Sequence, residues 1–284
     1  MSAFEPFEIR EPSAHGGPST PLVFASPHSG RIYPARMMEA SVLDAAAIRG
    51  SEDAFVDHLI AAAPRHGASV LLARLARAYV DVNREPYELD PAMFEDELPD
   101  FAQGRTARVA AGLGSIARVV SEGQEIYGRK LTFEEARERI EAVHRPYHEA
   151  LEGLLAAARE AHGLAVLIDW HSMPSAAAAQ GKGCDMVLGD RFGAACSPQL
   201  TRLVEQQLEA MGYRTVRNAP YAGGHTTEHY GKPARRTHAL QIEINRALYL
   251  DEATMQPTGG LKHLARNIER LTQALAAADW GKLR

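Results

Sequence analysis

Four places in the sequence join apolar runs to polar residues of the kinds that bind metals and move protons. In open α/β sheets, ligand sites gather beyond the carboxyl ends of the strands. Two histidines and a carboxylate from separate strand ends can hold a divalent cation while a fourth position stays open to water. Such water loses a proton readily, and a nearby carboxylate can carry that proton to a leaving nitrogen. The four places are His28, Asn83 with Arg84, Asp169 with His171, and Glu243 with Asn245.

The elements that must position these residues are apolar runs alternating with amphipathic segments. The run 164–170 is almost wholly apolar, as is typical of a central strand covered on both faces. The run 237–245 alternates and places Gln241 and Glu243 on one face. This alternation of strands and helices predicts an α/β fold, a three-layer sandwich around a mixed, mostly parallel sheet. Strands are predicted at 21–26, 68–73, 78–82, 164–170, 185–188, 213–216 and 237–245, and helices from Ser51, from Thr132, at 199–211 and at 258–278.

Local signals refine this prediction. Thr132 and Glu135 form the capping-box pattern of a helix start, and Pro146 should kink the helix that follows. Residues 86–130 carry many Pro, Asp, Glu and Gly without periodicity, which predicts a long excursion from the core. Because the sequence has no internal repeat and no clean linker, we predict one domain spanning residues 1–284.

Composition argues against several classes of protein. The 31 Lys and Arg are outnumbered by 36 Asp and Glu and are scattered, so nothing favours a nucleic-acid partner. No stretch approaches the roughly 18 apolar residues of a membrane span, and the start lacks the basic and apolar regions of a signal peptide. The two cysteines have no metal-like spacing. We therefore expect a cytoplasmic protein, and the sequence leaves its oligomeric state open.

Six short motifs, in this order, resemble those of the N-formylglutamate amidohydrolases across roughly residues 22–250. That family is similar in architecture to the zinc carboxypeptidases, which use a His, an acid and a second His as ligands and a Glu as general base. The resemblance implies a zinc-dependent hydrolase that cleaves N-formyl-L-glutamate, a small acidic N-acyl amino acid, to formate and L-glutamate, as in histidine breakdown. The motifs are SPHSG from Ser26, DVNR from Asp81, HRPYH from His144, IDWHS from Ile168, GGHTTEHYG from Gly223 and QIEI from Gln241.

Carried over onto this sequence, the resemblance implies a metal site and a general base. His28 and His171 would be ligands to one zinc ion, and Asp53 would be the acidic ligand, with its neighbour Glu52 as the alternative. Glu243 would be the general base and proton shuttle. The family often has an Asp-Thr-Asp-Trp-like segment where this chain has Gly-Ser-Glu-Asp-Ala-Phe, so only the second acid is retained. His and carboxylate ligands also suit cobalt, manganese or iron.

The resemblance also implies how an acidic substrate is held. Asn83 and Arg84 resemble the pair that binds the substrate carboxylate in the carboxypeptidases, and a bidentate guanidinium suits that task. Arg77 would polarise the scissile carbonyl or bind a second carboxylate. His225 lies in a Gly-rich segment, which predicts a loop over the site and a contact from His225 to the substrate.

Structural explanations compete with several of these roles. Asp53 would stabilise the start of a helix through the macrodipole whether or not it binds a metal. Arg84 could pair with an acidic neighbour such as Asp81, and Glu243 could form a structural salt bridge with an arginine. Asp169 could orient a ligand imidazole rather than bind the metal itself.

His144 and His148 have the i, i+4 spacing of a metal-binding pair on one helix face. A zinc-binding helix of the HExxH kind would carry a Glu beside the first His, and Pro146 disturbs the helix geometry between the two. We therefore predict packing or supporting roles for this pair.

Two rival functions remain open. The same metal site could act on another N-acyl amino acid or on a short peptide C-terminus. Alternatively, the chain could be a non-catalytic protein that binds acidic metabolites. A panel of formylated, acetylated and succinylated amino acids distinguishes the first rival from deformylation, because a preference for a non-formyl group would favour that rival. Absence of both bound zinc and hydrolysis would support the binding protein.

Overall fold

A computed structural model describes residues 5–12, 19–102, 104, 106–120, 123–180 and 183–283. Within these residues the chain forms a seven-stranded sheet in the order β1-β3-β2-β4-β7-β5-β6, and a two-stranded sheet of β8 and β9. The strands are β1 Phe7–Arg10, β2 Leu22–Ser26, β3 Ser69–Ala73, β4 Ala165–Met173, β5 Met186–Gly189, β6 Thr215–Arg217, β7 Thr237–Asn245, β8 Leu250–Asp251 and β9 Gln256–Pro257.

Strand pairing in the large sheet is mixed and mostly parallel. β2 pairs in parallel with both β3 and β4, β4 pairs in parallel with β7, and β5 pairs in parallel with β6. Only the β5–β7 pair among those recorded for the described residues is antiparallel. The predicted α/β class with a mixed, mostly parallel sheet is confirmed.

Helices of very different lengths connect the strands. None of them, in the part of the chain that the structure describes, has the length and apolar composition needed to cross a bilayer. The helices are α1 Ala35–Ala40, α2 Val56–Leu59, α3 Ala107–Ala110, α4 Phe133–Arg139, α5 Arg145–His162, α6 Ser175–Gln180, α7 Pro198–Ala210, α8 His225–Tyr230 and α9 Gly260–Ala276.

Contacts between residues divide the chain into two compact units. The first contains residues 1–8, 27–52 and 73–150, and the second contains residues 9–26, 53–72 and 151–284. The first unit has a small core around Met37, Ile48 and Ile126. The second unit contains most of the large sheet. The single-domain interpretation stays a prediction.

The core of the second unit holds the central strands rigidly. Every residue of β4 is buried, as the apolar run in its sequence predicts. On one face of the sheet, Ile168 and Leu240 pack in the same cluster as Leu264 and Ile268 of α9. Each such side chain contributes about 1.5–3 kcal/mol when fully buried. Polar residues on the opposite face of β4 and β7 are therefore fixed by a packed scaffold.

The helix that begins at Thr132 follows its sequence signals. Thr132 Oγ1 accepts from the Glu135 N–H at 3.2 Å, and Glu135 Oε2 accepts from the Thr132 N–H at 2.9 Å, so the predicted capping box is confirmed. A π-helical turn at Ile140–His144 separates α4 from α5 just before Pro146. Proline lacks the N–H that a regular helix needs, which accounts for this irregular turn next to the position where a kink is predicted.

Two predicted elements are wrong. Residues 78–82 form turns rather than a strand: the Tyr79 N–H donates to the Ala76 carbonyl at 2.9 Å, and Ala78 is buried in the core of the first unit. The apolar side chains there are buried by packing without a neighbouring strand. The helix predicted from Ser51 shrinks to the four residues of α2, because Phe55 adopts a left-handed conformation with φ of 63° and prevents a helix from running through it.

Candidate active site

Four buried polar residues lie side by side on one face of the central strands. In the parallel pairing of β4 and β7, Asp169 is opposite Gln241 and His171 is opposite Glu243. Residues that are opposite each other in a sheet point to the same face. The face predicted to carry Gln241 and Glu243 is therefore confirmed, and it also carries the histidine and aspartate of β4.

His171 lies between two carboxylates. Its Nδ1 is 3.0 Å from Asp53 Oδ2, and its Nε2 is 3.1 Å from Asp169 Oδ2. Burial disfavours the charged imidazole, but the Asp169 carboxylate and the hydrogen bond with Asp53 raise the pKa of His171 well above its usual value. A neutral imidazole that gave Nδ1 to a cation would present its Nε2–H toward Asp169, and Asp169 could then orient the ring, which is the alternative role left open for it by the sequence.

Asp53 is also held by Arg246, a residue to which the sequence assigned no role. Arg246 Nη2 donates to Asp53 Oδ1 at 3.2 Å, and Arg246 Nε donates to Ser172 Oγ at 3.2 Å. Arg246 directly follows β7, where the predicted site residue Asn245 instead caps a short 3₁₀ turn through the Ala247 N–H. One arginine therefore ties the end of β7 to the predicted acidic ligand.

In the first unit, His28 contacts an equivalent buried carboxylate. His28 Nε2 is 2.7 Å from Asp81 Oδ1, and Arg77 Nη2 donates to Asp81 Oδ2 at 2.6 Å. Burial alone would raise the pKa of Asp81, but the charges of Arg77, His28 and Arg84 hold that pKa well below its usual value. Asp81 is thus an ionised partner for His28, whereas from the sequence only a pairing of Asp81 with Arg84 was considered.

The three residues predicted to bind the metal lie together. His28, Asp53 and His171 are each at most 2% exposed, and one potential ligand atom from each lies within 4.8 Å of the others. In both imidazoles the Nε2 atom is next to an aspartate, so Nδ1 is the atom through which each histidine would bind a cation. This donor set suits zinc or another divalent ion that binds nitrogen and oxygen. The residues present could therefore hold one metal ion.

Buried charge in the second unit is consistent with a cation. Asp53, Asp169 and Glu243 are all buried, and Arg246 is a buried positive charge beside Asp53. Burying several carboxylates together is costly unless positive charge offsets them. A divalent ion would supply that charge, and it would release His171 from carrying a proton.

Glu52, the alternative acidic ligand, is engaged elsewhere. Tyr33 donates to its Oε1 at 2.7 Å, and Arg49 donates to both of its oxygens at 3.1 to 3.2 Å. These contacts already use both carboxylate oxygens of Glu52. The geometry favours Asp53 as the ligand.

This preference gives a direct test with two neighbouring acids. Asp53→Asn should lose bound metal, because a neutral amide replaces the charged ligand. Glu52→Gln should keep bound metal and lose about 1–3 kcal/mol of unfolding free energy, since Arg49 and Tyr33 lose a charged acceptor. Metal analysis and denaturant unfolding of both variants check this. Metal loss in Glu52→Gln with retention in Asp53→Asn would reverse the assignment.

The predicted carboxylate-binding pair lies in a segment supported by two histidines. Arg84 Nη1 donates to the Asn83 carbonyl at 2.8 Å and Arg84 Nε to the Leu113 carbonyl at 3.0 Å. His144 Nε2 donates to the Arg84 carbonyl at 2.9 Å, and His148 Nε2 donates to the Val82 carbonyl at 2.7 Å. His144 and His148 thus have the supporting role predicted for them, and the role of Asn83 and Arg84 toward substrate stays a prediction.

His225 begins α8, directly after Gly223 and Gly224. Its ring is half-buried and lies 5.2 Å from the His229 ring, measured between centroids. Gly223 has a φ of 120°, a backbone conformation that favours glycine at this position before α8. The predicted contact of His225 with substrate stays a prediction.

The chain is similar to known proteins over most of its length. The sequence model of the family described as N-formylglutamate amidohydrolase matches residues 20–250. A protein named N-formylglutamate deformylase from Pseudomonas putida is 33% identical over 268 residues, covering 92% of this chain and 93% of its own length. A protein of the same name from Pseudomonas aeruginosa is 31% identical over 272 residues, covering 93% and 95%.

Solved structures agree with these sequence matches. A crystal structure of N-formylglutamate amidohydrolase from Ralstonia eutropha is similar with a TM-score of 0.88 and 39% identity, over 95% of this chain and 97% of that one. A structure from Agrobacterium tumefaciens shares the fold with a TM-score of 0.67 at 18% identity, over 97% of this chain and 95% of that one.

Proposed function

Because the chain belongs to the N-formylglutamate amidohydrolase family, we propose that it hydrolyses the formyl amide of N-formyl-L-glutamate. Water adds to the formyl carbon, the carbon–nitrogen bond breaks, and formate and L-glutamate leave. The observation that carries this proposal is the buried group of His28, Asp53 and His171, with Glu243 opposite His171 in the sheet. As part of the same proposal, the 284 residues act as one catalytic domain.

The metal in this proposal is one zinc ion, held by His28, Asp53 and His171. When bound, such an ion polarises the formyl carbonyl and lowers the pKa of water toward neutrality. Asp81 and Asp169 orient the two imidazoles through Nε2, and each imidazole thereby keeps one fixed tautomer. Arg246 holds the Asp53 carboxylate in place.

Glu243 is the general base and the proton shuttle of the proposed reaction. Its carboxylate takes a proton from the attacking water and delivers it to the amide nitrogen, so that glutamate leaves with a neutral amine. A carboxylate in a buried strand needs partners to stay there, and the Gln241 amide donates to Glu243 Oε1 at 2.8 Å. Burial of Glu243 between strands also keeps bulk water from taking over its role.

Charged side chains of the first unit bind the acidic substrate in this proposal. Asn83 and Arg84 hold a substrate carboxylate, for which the fork of a guanidinium is suited. Arg77 binds the second carboxylate or stabilises the oxygen of the formyl carbonyl as charge develops on it. His225 contacts the substrate from the start of α8.

The experiment that tests the function is a formate-release assay with a panel of substrates. N-formyl-L-glutamate should be cleaved with a higher kcat/KM than N-formyl-L-glutamine, because the amide analogue loses one carboxylate that an arginine would pair with. N-acetyl- and N-succinyl-L-glutamate should be poorer still, since the site must fit a single hydrogen on the carbonyl carbon. Preference for a non-formyl group would instead identify another N-acyl amino acid as the substrate. Absence of both bound metal and hydrolysis would indicate a non-catalytic binding protein.

A further inference from the structure

The side chain of Gln241 joins two parts of the second unit that the proposed reaction uses. Its Nε2 donates to Glu243 Oε1 at 2.8 Å, and its Oε1 accepts from the Gly224 N–H at 2.7 Å. Gln241 is 3% exposed and Glu243 is 7% exposed. The two side chains therefore meet away from bulk water, where a hydrogen bond is strong and a missing one is costly.

The orientation of the Gln241 amide follows from its partners. A backbone N–H can only donate, so the amide atom that faces Gly224 must be the oxygen. The NH₂ group must then face Glu243, where it meets an acceptor. Rotation of the amide by 180° would place two donors together at Gly224 and two oxygens together at Glu243. The two contacts therefore allow only one orientation of the Gln241 amide.

Close backbone packing beside Gln241 keeps Gly224 in reach. Gly189 of β5 is opposite Gln241 in the antiparallel pairing with β7. A Cβ atom at Gly189 would lie 2.8 Å from both the Ala222 carbonyl carbon and the Gly223 nitrogen, which is closer than side-chain carbons approach backbone. The absence of a side chain at Gly189 thus lets the segment 222–224 lie against the sheet, next to the Gln241 amide.

We propose that Gln241 is a positioning residue that holds the Glu243 carboxylate in its reactive orientation and couples it to the start of α8. The proposal rests on the proposed function, in which Glu243 moves the proton. Gln241 acts through Glu243 and itself touches no reacting atom. A group that transfers protons must be held within about 0.5 Å of its productive position, and a neighbouring side chain locked at both ends can do this.

Two substitutions of Gln241 distinguish its hydrogen bond to Glu243 from its hydrogen bond with the Gly224 N–H. Gln241→Met keeps the volume and removes both hydrogen bonds, and it should lower kcat about 10- to 100-fold, the usual effect of losing an outer partner of a reactive group. KM and bound metal should stay near wild-type values, since the ligands and the substrate-binding arginines are unchanged. Gln241→Glu keeps an acceptor for Gly224 but places an oxygen against Glu243, and it should lower kcat at least as much.

A matched control is Asn267, another buried amide. Asn267 lies in α9 and is 7% exposed, and its Nδ2 donates to Tyr213 Oη at 2.8 Å. Asn267→Leu should lower stability and leave kcat unchanged. Wild-type kcat in Gln241→Glu would show that Gln241 only supports Gly224, and wild-type kcat in Gln241→Met would overturn the proposal altogether.

A crystal structure of Gln241→Met provides a readout that does not depend on turnover. The Glu243 carboxylate should move or split into several conformers while His171 and Asp169 keep their positions. An unmoved Glu243 would overturn the proposal. If the wild-type protein releases no formate from N-formyl-L-glutamate, the proposed function fails, and this structure still decides whether Gln241 positions Glu243.

Discussion

Glu243→Gln should lower kcat for formate release by about 100- to 10,000-fold, the range that general acid–base catalysis contributes. The amide has nearly the same shape as the carboxylate but accepts no proton from water and delivers none to the amide nitrogen. Bound metal should stay at the wild-type level, because Glu243 is not among the three proposed ligands. Stopped assays of formate, together with metal analysis of the same preparation, measure both quantities.

The substitution also changes the contact with Gln241, and this must be separated from the chemistry. Gln241 donates to Glu243 Oε1, and the glutamine at 243 can still present its carbonyl oxygen to that donor. The fold should therefore be retained. Glu88→Gln is the matched control, since Glu88 is a buried carboxylate in the first unit that accepts from the Thr106 hydroxyl. Full turnover in Glu243→Gln would remove Glu243 from the mechanism.

The central strands were predictable because their burial leaves a plain mark in the sequence. β4 is buried throughout, so its first residues form one apolar run, and the polar residues that follow this run within the strand stand out. His171 was found in this way. In β7 the period-2 alternation separates Gln241 and Glu243 from the apolar face, and the structure has the same division.

Residues that act through distant partners could not be found in this way. Asp53 and His171 are hydrogen-bonded across 118 positions of the chain, and Arg246 contacts Asp53 across 193. No local pattern encodes such pairs. Asp53 was predicted only from the resemblance to a family, and Arg246 was missed because an arginine after a strand is common on surfaces.

Irregular segments were also mispredicted for a physical reason. The run 78–82 has buried apolar residues and reads as a strand, yet Ala78 is packed in a small core without ladder bonds. A hydrophobic pattern indicates which side chains are buried. It predicts a strand or a helix only where the backbone is also regular. This error did not move the site, because Asp81 and Asn83 are fixed by the hydrogen bonds of Asp81 rather than by a strand end.

Removal of the metal should reduce formate release to background, and adding zinc back should restore it. The reason is that neither Glu243 nor the arginines can make water nucleophilic at neutral pH without a cation that lowers the pKa of the water. The metal-free protein should also unfold at a lower temperature, because an ion that binds only the folded state stabilises it. Chelation followed by dialysis, metal analysis and thermal unfolding check these outcomes on one sample.

Single substitutions then identify the residues that bind the ion. His28→Gln should lose bound metal and turnover together. Asp81→Asn should keep a weakened site, with metal affinity lower by about 10- to 100-fold, because Asp81 orients His28 and is not itself one of the three proposed ligands. His66→Gln is the control, since His66 pairs with Glu269 in the second unit, outside the proposed ligand group. Undiminished turnover in protein from which all metal has been removed would contradict the metal mechanism, and retention of metal in His28→Gln would contradict the ligand set. If the His66→Gln control behaves as expected, the larger loss in His28→Gln than in Asp81→Asn distinguishes a residue that binds the ion from one that orients its ligand.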